Sequence, residues 1–403
     1  MVLALDNRYL TAAEAAEALG VSLQTLYVYV GRKGIRSQAI PGTRQRRYWR
    51  MDIERLRQKG KGAQPPPSSS IKEESDITFI GDDDLFFRGQ SATQLADSAS
   101  FEEVAALLWN VDQKEVFDTN RPQAPSLIAR LDKLLSDQSD VDRATALFPI
   151  LESADPRAFD LSLAGMARTG ADVLRWLAAL TVRSTEPTSE PIHLFLGRRL
   201  KRAAEETDLI RRMLVLSADH GFEVGTYAVR AVASAGVTPW RAVITGLSVS
   251  VGRQSRLGSL DATQRFLREI TESSNPEEPV IQRLRDGEAL PGFGAPSYRE
   301  GEPIYRNCDP RARALLRYCE GIYSKDEAFK RLARAFALIR EVKHLEPSNL
   351  LVCQFIFNRL GVNPRSTLFH LGRAAGWIAH AMEQHQAGEM EHRRGLYTGA
   401  LPQ

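Results

Sequence analysis

Three consecutive prolines at 65–67, within GKGAQPPPSSS (60–70), constrain this chain more than any other stretch. A proline ring fixes φ and removes a backbone donor, so three in a row stop helix and sheet alike. The stretch also lacks apolar periodicity and reads as an exposed, partly extended linker. The two sides must then fold as separate bodies, a unit at 1–59 and a unit at 72–403 joined by residues 60–71. Their charges differ. Residues 1–60 hold 11 Lys and Arg against 5 Asp and Glu, a net of +6, and since the whole chain is only +3 the remainder is −3. A basic excess confined to one small block fits a unit that meets a polyanion.

The rest of the composition excludes several classes. At 403 residues, 43% hydrophobic and 26% charged, the chain is globular material with room for two or three cores. Cys308, Cys319 and Cys353 show neither CxxC spacing nor an even framework. They read as packing residues in a reducing compartment, with no thiolate metal site. The start of the chain reaches Asp6 without a basic region and apolar core, and no run approaches the ~18 apolar residues of a membrane span. The expectation is a cytoplasmic protein with no membrane partner.

The basic block has its own pattern. Thr11 followed by Glu14 is a capping box, which starts a helix at Ala12. Ala15, Ala16, Leu19 and Val21 supply its apolar face, Gly20 ends it, and Ser22 caps a second helix running to Val30 with Leu26 and Val30 inward. Two short helices around one glycine turn make a helix-turn-helix. Ile35 to Trp49 then holds a Pro41-Gly42 turn between extended runs, a hairpin, and Met51 to Leu56 begins a third helix. These patterns resemble the winged helix-turn-helix of the MerR and excisionase type over about fifty residues. Such a unit would lay its second helix in the major groove of DNA, with Gln24, Thr25 and Tyr27 near base edges. Arg32, Lys33, Arg36, Arg44, Arg46 and Arg47 would meet phosphates. The alternative is a basic protein-docking module.

From Ile77 the chain holds two short strands around the DDD turn at 82–84 and then becomes helical almost throughout. Phe101, Val104, Ala105, Leu107 and Leu108 mark one helical face, and Leu174, Leu177, Leu180 and Val182 another. The segment ADHGFEVGTYAVRAVASAG, starting at Ala218, resembles the ADHxxNASTxxxRxxAS segment of citrate synthases. PGFGAP (291–296), DPRA (309–312), LGRAAGWIAHAMEQ (371–384) and the upstream run at 77–110 are similar to that family in the right order. The resemblance covers about residues 72–403. It implies a mainly α, two-domain fold working as a dimer, with a large subdomain at 72–250 and 356–403 and a small one at 251–355.

Citrate synthases use an aspartate to deprotonate acetyl-CoA, a histidine to stabilise the enol, and a second histidine as acid toward oxaloacetate. Matching the motifs puts Ser255, by gapless counting from His220, and Ala295, in PGFGAP, at the two histidine positions, and Leu350, counted back from Leu360-Gly361, at the aspartate position. No histidine lies between His220 and His344 and no aspartate follows Asp326, so sliding the register restores none of them. The nearest carboxylate to Leu350 is Glu346, a helical turn away. Each missing acid or base typically costs about 10² to 10⁴ in rate.

The resemblance also implies a carboxylate-binding set, His220, Arg311, Arg373 and Arg393, the last contributed across a dimer with His392 or Arg394 as register alternatives. Arginine forks suit carboxylates. The alternative is that Arg311 and Arg373 make structural ion pairs and His220 is a satisfied core histidine, because Glu223 and Gly225 replace the asparagine and serine of NAST. REGEPIYRNC, inserted between Tyr298 and Asp309, lies beside the segment that would receive the CoA. Three readings stay open. One is a DNA-binding regulator that senses an oxaloacetate-like or citrate-like carboxylate or an acyl-CoA. Another is a non-catalytic subunit paired with an active citrate synthase paralogue. The third is an acyltransferase that works through Ser255 or Glu346. No cofactor is expected beyond a possible acyl-CoA ligand.

Overall fold

The computed structural model describes residues 9–32, 35–40, 43, 45–50, 52–53, 74–117, 122–252, 257–294, 297–299, 302–305 and 307–388. The linker at 60–70, the Pro41-Gly42 turn, Lys33, Arg44, Ser255, Ala295 and 392–394 lie outside these residues, as does the side chain of Arg32. The chain divides into two compact units, Met1–Glu74 and Ser75–Gln403.

The first unit runs β1 (Tyr9–Leu10), α1 (Ala12–Leu19), α2 (Leu23–Arg32), β2 (Ser37–Ala39) and β3 (Arg46–Trp49), with antiparallel strands in the order β1-β3-β2. Local chemistry sets the helix ends. Thr11 Oγ1 accepts the Glu14 N–H at 3.3 Å, and the Glu14 carboxylate accepts the Thr11 N–H at 2.8 Å. Gly20 then closes α1 at φ +65°, and Ser22 Oγ accepts the Thr25 N–H at 3.2 Å to start α2. Leu10, Ala15, Ala16, Leu26, Ile35, Tyr48 and Ile53 form the core, while Leu19, Val21 and Val30 are only half-buried against it. Arg50, Asp52 and Ile53 are helical, where a third helix is expected to begin.

The second unit opens with an antiparallel meander, β4 (Thr78–Ile80), β5 (Leu85–Phe87) and β6 (Gln90–Ser91), adding a third strand to the expected pair. Helices follow as α3 (Ala92–Ser98), α4 (Phe101–Trp109), α5 (Gln113–Phe117), α6 (Ile128–Leu134), α7 (Asp140–Ala154), α8 (Leu163–Thr181) and α9 (Ile192–Arg199). Next come α10 (Ala204–Ser217), α11 (Val224–Ala233), α12 (Pro239–Ser250), α13 (Leu257–Glu272) and α14 (Glu278–Asp286). A small hairpin, β7 (Ser297–Arg299) and β8 (Glu302–Pro303), leads into α15 (Pro310–Tyr323), α16 (Glu327–Lys343), α17 (Asn349–Arg359) and α18 (Leu368–Ala387).

Two helices organise this unit. In α8 the leucine face at 174, 177 and 180 is buried, but so is most of the opposite side, including Asp172 and Arg175. It is a central helix rather than an amphipathic surface one. The other is α18, which packs against α4, α8, α10, α11 and α12. Trp109 Nε1–H donates to Ala375 O at 2.9 Å across one of these interfaces. In the second packing group α13 lies against α16 and α17, α17 against α15, and α15 reaches α10.

Candidate functional site

The ADHG turn follows α10 and is clasped by α18. The Gly376 N–H donates to Ala218 O at 2.9 Å. A Cβ at Gly376 would stand 2.4 Å from that oxygen and from Asp219 Oδ1, so only glycine permits this approach. Arg373 and His380, on the same helix, then flank Asp219. Asp219 Oδ1 lies 3.9 Å from Arg373 Nη1, and Oδ2 lies 3.4 Å from His380 Nε2 while accepting the Gly221 N–H at 2.8 Å. Burial pushes this carboxyl up, but His380 and Arg373 outweigh it and hold its pKa down to about 2.

His220 is fully buried, and its Nε2 is hydrogen-bonded to the Tyr305 hydroxyl at 2.8 Å. Tyr305 is itself buried and comes from the segment between β8 and α15, inside the inserted stretch. Arg311 sits in the first turn of α15, capped by Asp309. Asp309 accepts the Arg311 backbone N–H at 3.1 Å, Nε–H at 2.9 Å and Nη2–H at 2.7 Å, a bidentate buried pair. Burial works to lower the pKa of Arg311, and Asp309 with Tyr305 carries it upward instead.

Arg373 is 1% exposed, and none of its nitrogens makes a hydrogen bond among the described residues. Its nearest anion is Glu223 Oε1, 3.4 Å from Nε, at the N-terminus of α11. Arg311, Asp309 and Arg373 all act on the buried Cys353 thiol, whose pKa is pushed up to about 12, chiefly by burial. One neighbourhood therefore gathers His220, Arg311 and Arg373.

The PGFG and EPSN segments also meet. Phe293 bridges Pro347, and the Ser348 N–H donates to Gly292 O at 2.8 Å. Ser348 caps α17, which puts the half-buried Leu350 in its first turn. Glu346 is tied to Arg340, whose Nε–H and Nη2–H donate to its two oxygens at 2.6 and 2.9 Å. A cleft of about 820 Å³ opens between α15 and α16, lined by Asp309, Arg313, Arg317, Arg340, His344 and Glu346 among others. No group of three His, Cys, Asp or Glu able to hold a metal occurs among the described residues, and no helix there is long and apolar enough to cross a membrane.

In the first unit α2 turns Leu23, Gln24, Tyr27 and Val28 outward, with Leu23 46%, Tyr27 55% and Val28 48% exposed. Thr25 is half-buried and its hydroxyl is hydrogen-bonded to Ser22 Oγ at 2.9 Å, so it serves the cap. Arg47 donates to Gln38 Oε1 at 2.8 and 3.1 Å and lies 4.2 Å over the Tyr9 ring, while Arg46 bonds Ser37. Arg36 forks onto Asp52 through two bonds of 3.1 Å, yet its side chain stays 72% exposed.

Sequence reasoning passed over Leu23 and Val28, and also Asp219, Tyr305 and His380. Asp219 and His380 stand inside the quoted motifs and were within reach. Nothing local marks Tyr305, whose partner lies 85 positions away.

Comparison with known proteins bears on both units. Residues 69–394 match the family model "Citrate synthase, C-terminal domain", and residues 9–61 match "Helix-turn-helix domain". The chain is 26% identical over 363 residues to a citrate synthase of Haloferax volcanii, and 23% identical over 353 residues to citrate synthase 2 of Bacillus subtilis. Each alignment covers 81% of this chain and 93% of the relative. The fold is similar to that of Thermoplasma acidophilum citrate synthase, solved with carboxymethyl coenzyme A and oxaloacetate. That likeness has a TM-score of 0.69 at 18% identity and covers 83% of this chain and 95% of the other.

Proposed function

The chain belongs to the citrate synthase family, and from that premise we propose that it is a DNA-binding regulator whose larger unit holds a carboxylate ligand without condensing it. The observation that carries the reading is the exposed face of α2 on a helix-turn-helix preceding a citrate synthase fold. Gln24 and Tyr27 would face bases, joined by Leu23 and Val28, whose apolar groups suit thymine methyls. Arg36, Arg46 and Arg47, with Arg32, Lys33 and Arg44, would contact phosphates.

In the larger unit Arg373 would hold the ligand carboxylate, with His220, Arg311 and Arg393 completing an oxaloacetate-like or citrate-like set. Leu350 cannot take a proton, and Ala295 cannot give one, which supports binding without turnover. Glu346 does not fill the gap, because Arg340 occupies both its oxygens and a general base must reach the proton it removes. The cleft between α15 and α16 would admit an acyl-CoA. Val224 and Tyr227, 73% and 43% exposed on α11, support assembly as a dimer, with itself or with a catalytic paralogue.

The test has two arms. Selection from random duplexes followed by a mobility-shift titration is expected to yield a bound operator, and CoA release from acetyl-CoA with oxaloacetate is expected to be absent for the chain alone. Turnover by the chain alone would overturn the reading. Silence alone with stimulation of a citrate synthase paralogue, and no operator, would assign it as a partner subunit.

A further inference from the structure

We propose that Tyr305 is a built-in competitor for the ligand and so decides which acids the pocket admits, an inference that rests on the carboxylate-pocket reading above. The Tyr305 hydroxyl sits 2.8 Å from His220 Nε2, with both residues enclosed. A ligand oxygen can reach that nitrogen only by taking the place of the phenol. The two arginines divide unequally. Asp309 already fills the Arg311 fork through Nε and Nη2. Arg373 is equally buried, yet all three of its nitrogens lack a hydrogen-bond acceptor among the described residues.

A buried guanidinium in that state calls for an acceptor, because unmade bonds to a buried charge are costly. With Tyr305 seated, the pocket therefore offers no free imidazole and one guanidinium without a hydrogen bond, whose only carboxylate neighbours among the described residues, Glu223 and Asp219, stand 3.4 and 3.9 Å away. It takes a single carboxylate. An acid carrying a further oxygen destined for His220 has to evict the tyrosine, and its apparent affinity is reduced by the fraction of molecules in which Tyr305 is seated. Monocarboxylates pass without that penalty, whereas 2-oxo dicarboxylates and citrate bear it. The tyrosine stands between the PGFGAP and DPR motifs, so the selectivity is set by a residue outside both.

Calorimetric titration of the full chain, wild type and Tyr305→Phe, with propionate, oxaloacetate and citrate tests this. The phenylalanine keeps the ring and its packing and removes only the hydroxyl. The expected result is a gain of about 2- to 10-fold for oxaloacetate and citrate, the scale of one competing hydrogen bond removed, with propionate unchanged. Equal oxaloacetate affinity in the two proteins, while Arg373→Ala still abolishes binding, would sink the competitor and leave the pocket standing. If no acid binds either protein, or Arg373→Ala binds as well as wild type, the pocket reading falls too. A second readout is the nitrogen resonance of the His220 imidazole in wild type. It is expected to shift with oxaloacetate and stay in place with propionate, and a resonance unmoved by bound oxaloacetate counts against the proposal.

Discussion

His370 lies beside Arg373 on α18, and its pKa is depressed from 6.5 to about 4, first by burial and then by the guanidinium. Its Nδ1 is sealed from solvent although part of the residue is exposed. Between pH 6.5 and about 4 the unfolded chain takes up a proton that the native chain refuses. Stability is thus full above 6.5 and falls as pH drops through this window, by no more than about 3 kcal/mol. Burial raises Asp172 to about 6, which works in the opposite direction below that pH, so the difference between wild type and His370→Gln in denaturant titrations from pH 7 to 4 isolates the histidine; identical slopes would remove His370 as a contributor. Asp219 acts lower, being held from 3.8 down to about 2, so its contribution persists above 3.8 and is lost as pH falls toward 2. At this scale the sequence was legible where a residue sat in a contiguous motif, as His220, Arg311 and Arg373 do. It was silent on Tyr305 against His220 and on Glu223 facing Arg373, because those pairings arise only when distant segments fold together, whereas the Asp309–Arg311 fork joins residues two positions apart inside DPRA and was within reach.

Among the elements, α18 does most to position Arg373 against the ADHG turn, and its small residues explain how. A Cβ at Gly372 would meet Leu214 O at 2.8 Å, and one at Gly376 would meet Ala218 O at 2.4 Å. Backbone oxygens at the end of α10 cannot swing aside as a flexible side chain would. Gly376→Ala is therefore expected to destabilise the larger unit by about 1–3 kcal/mol and to move the ADHG turn away from Arg373. Urea denaturation would show the first effect, and loss of acid-induced thermal stabilisation the second. A variant with wild-type stability and wild-type acid binding would show that the helix does not need this approach. Capping signals were legible because they span four residues, as at Thr11–Glu14, and the structure contains those bonds. The two-residue strands β1 and β6 were not, since no period can be read from two positions. For α8 the leucines revealed a buried face, and the i,i+3 spacing of Asp172 and Arg175 allows their pairing, but that the pair is buried lay beyond any periodicity.

For the whole molecule, the regulator reading requires two separately folded units to share free energy. The DNA-binding step should carry the electrostatic signature of the basic unit. Replacing Arg46 and Arg47 by alanine is expected to lower operator affinity and to reduce the slope of log affinity against log salt by about 1 for each phosphate no longer neutralised. Acid binding to the larger unit should be untouched by those changes when DNA is absent. Coupling is then tested by reciprocity: if a carboxylate changes operator affinity by some factor, operator DNA must change carboxylate affinity by the same factor. Arg373→Ala should leave operator affinity at its ligand-free value and abolish the response to acid. Titrating acid against operator-bound and free protein, and operator against acid-bound and free protein, measures both sides of the cycle. Two factors that agree and differ from unity establish the carboxylate as an effector. Two factors of one, with both ligands bound, would mean that the units share a chain but not a signal, and the pocket would then serve something other than DNA binding.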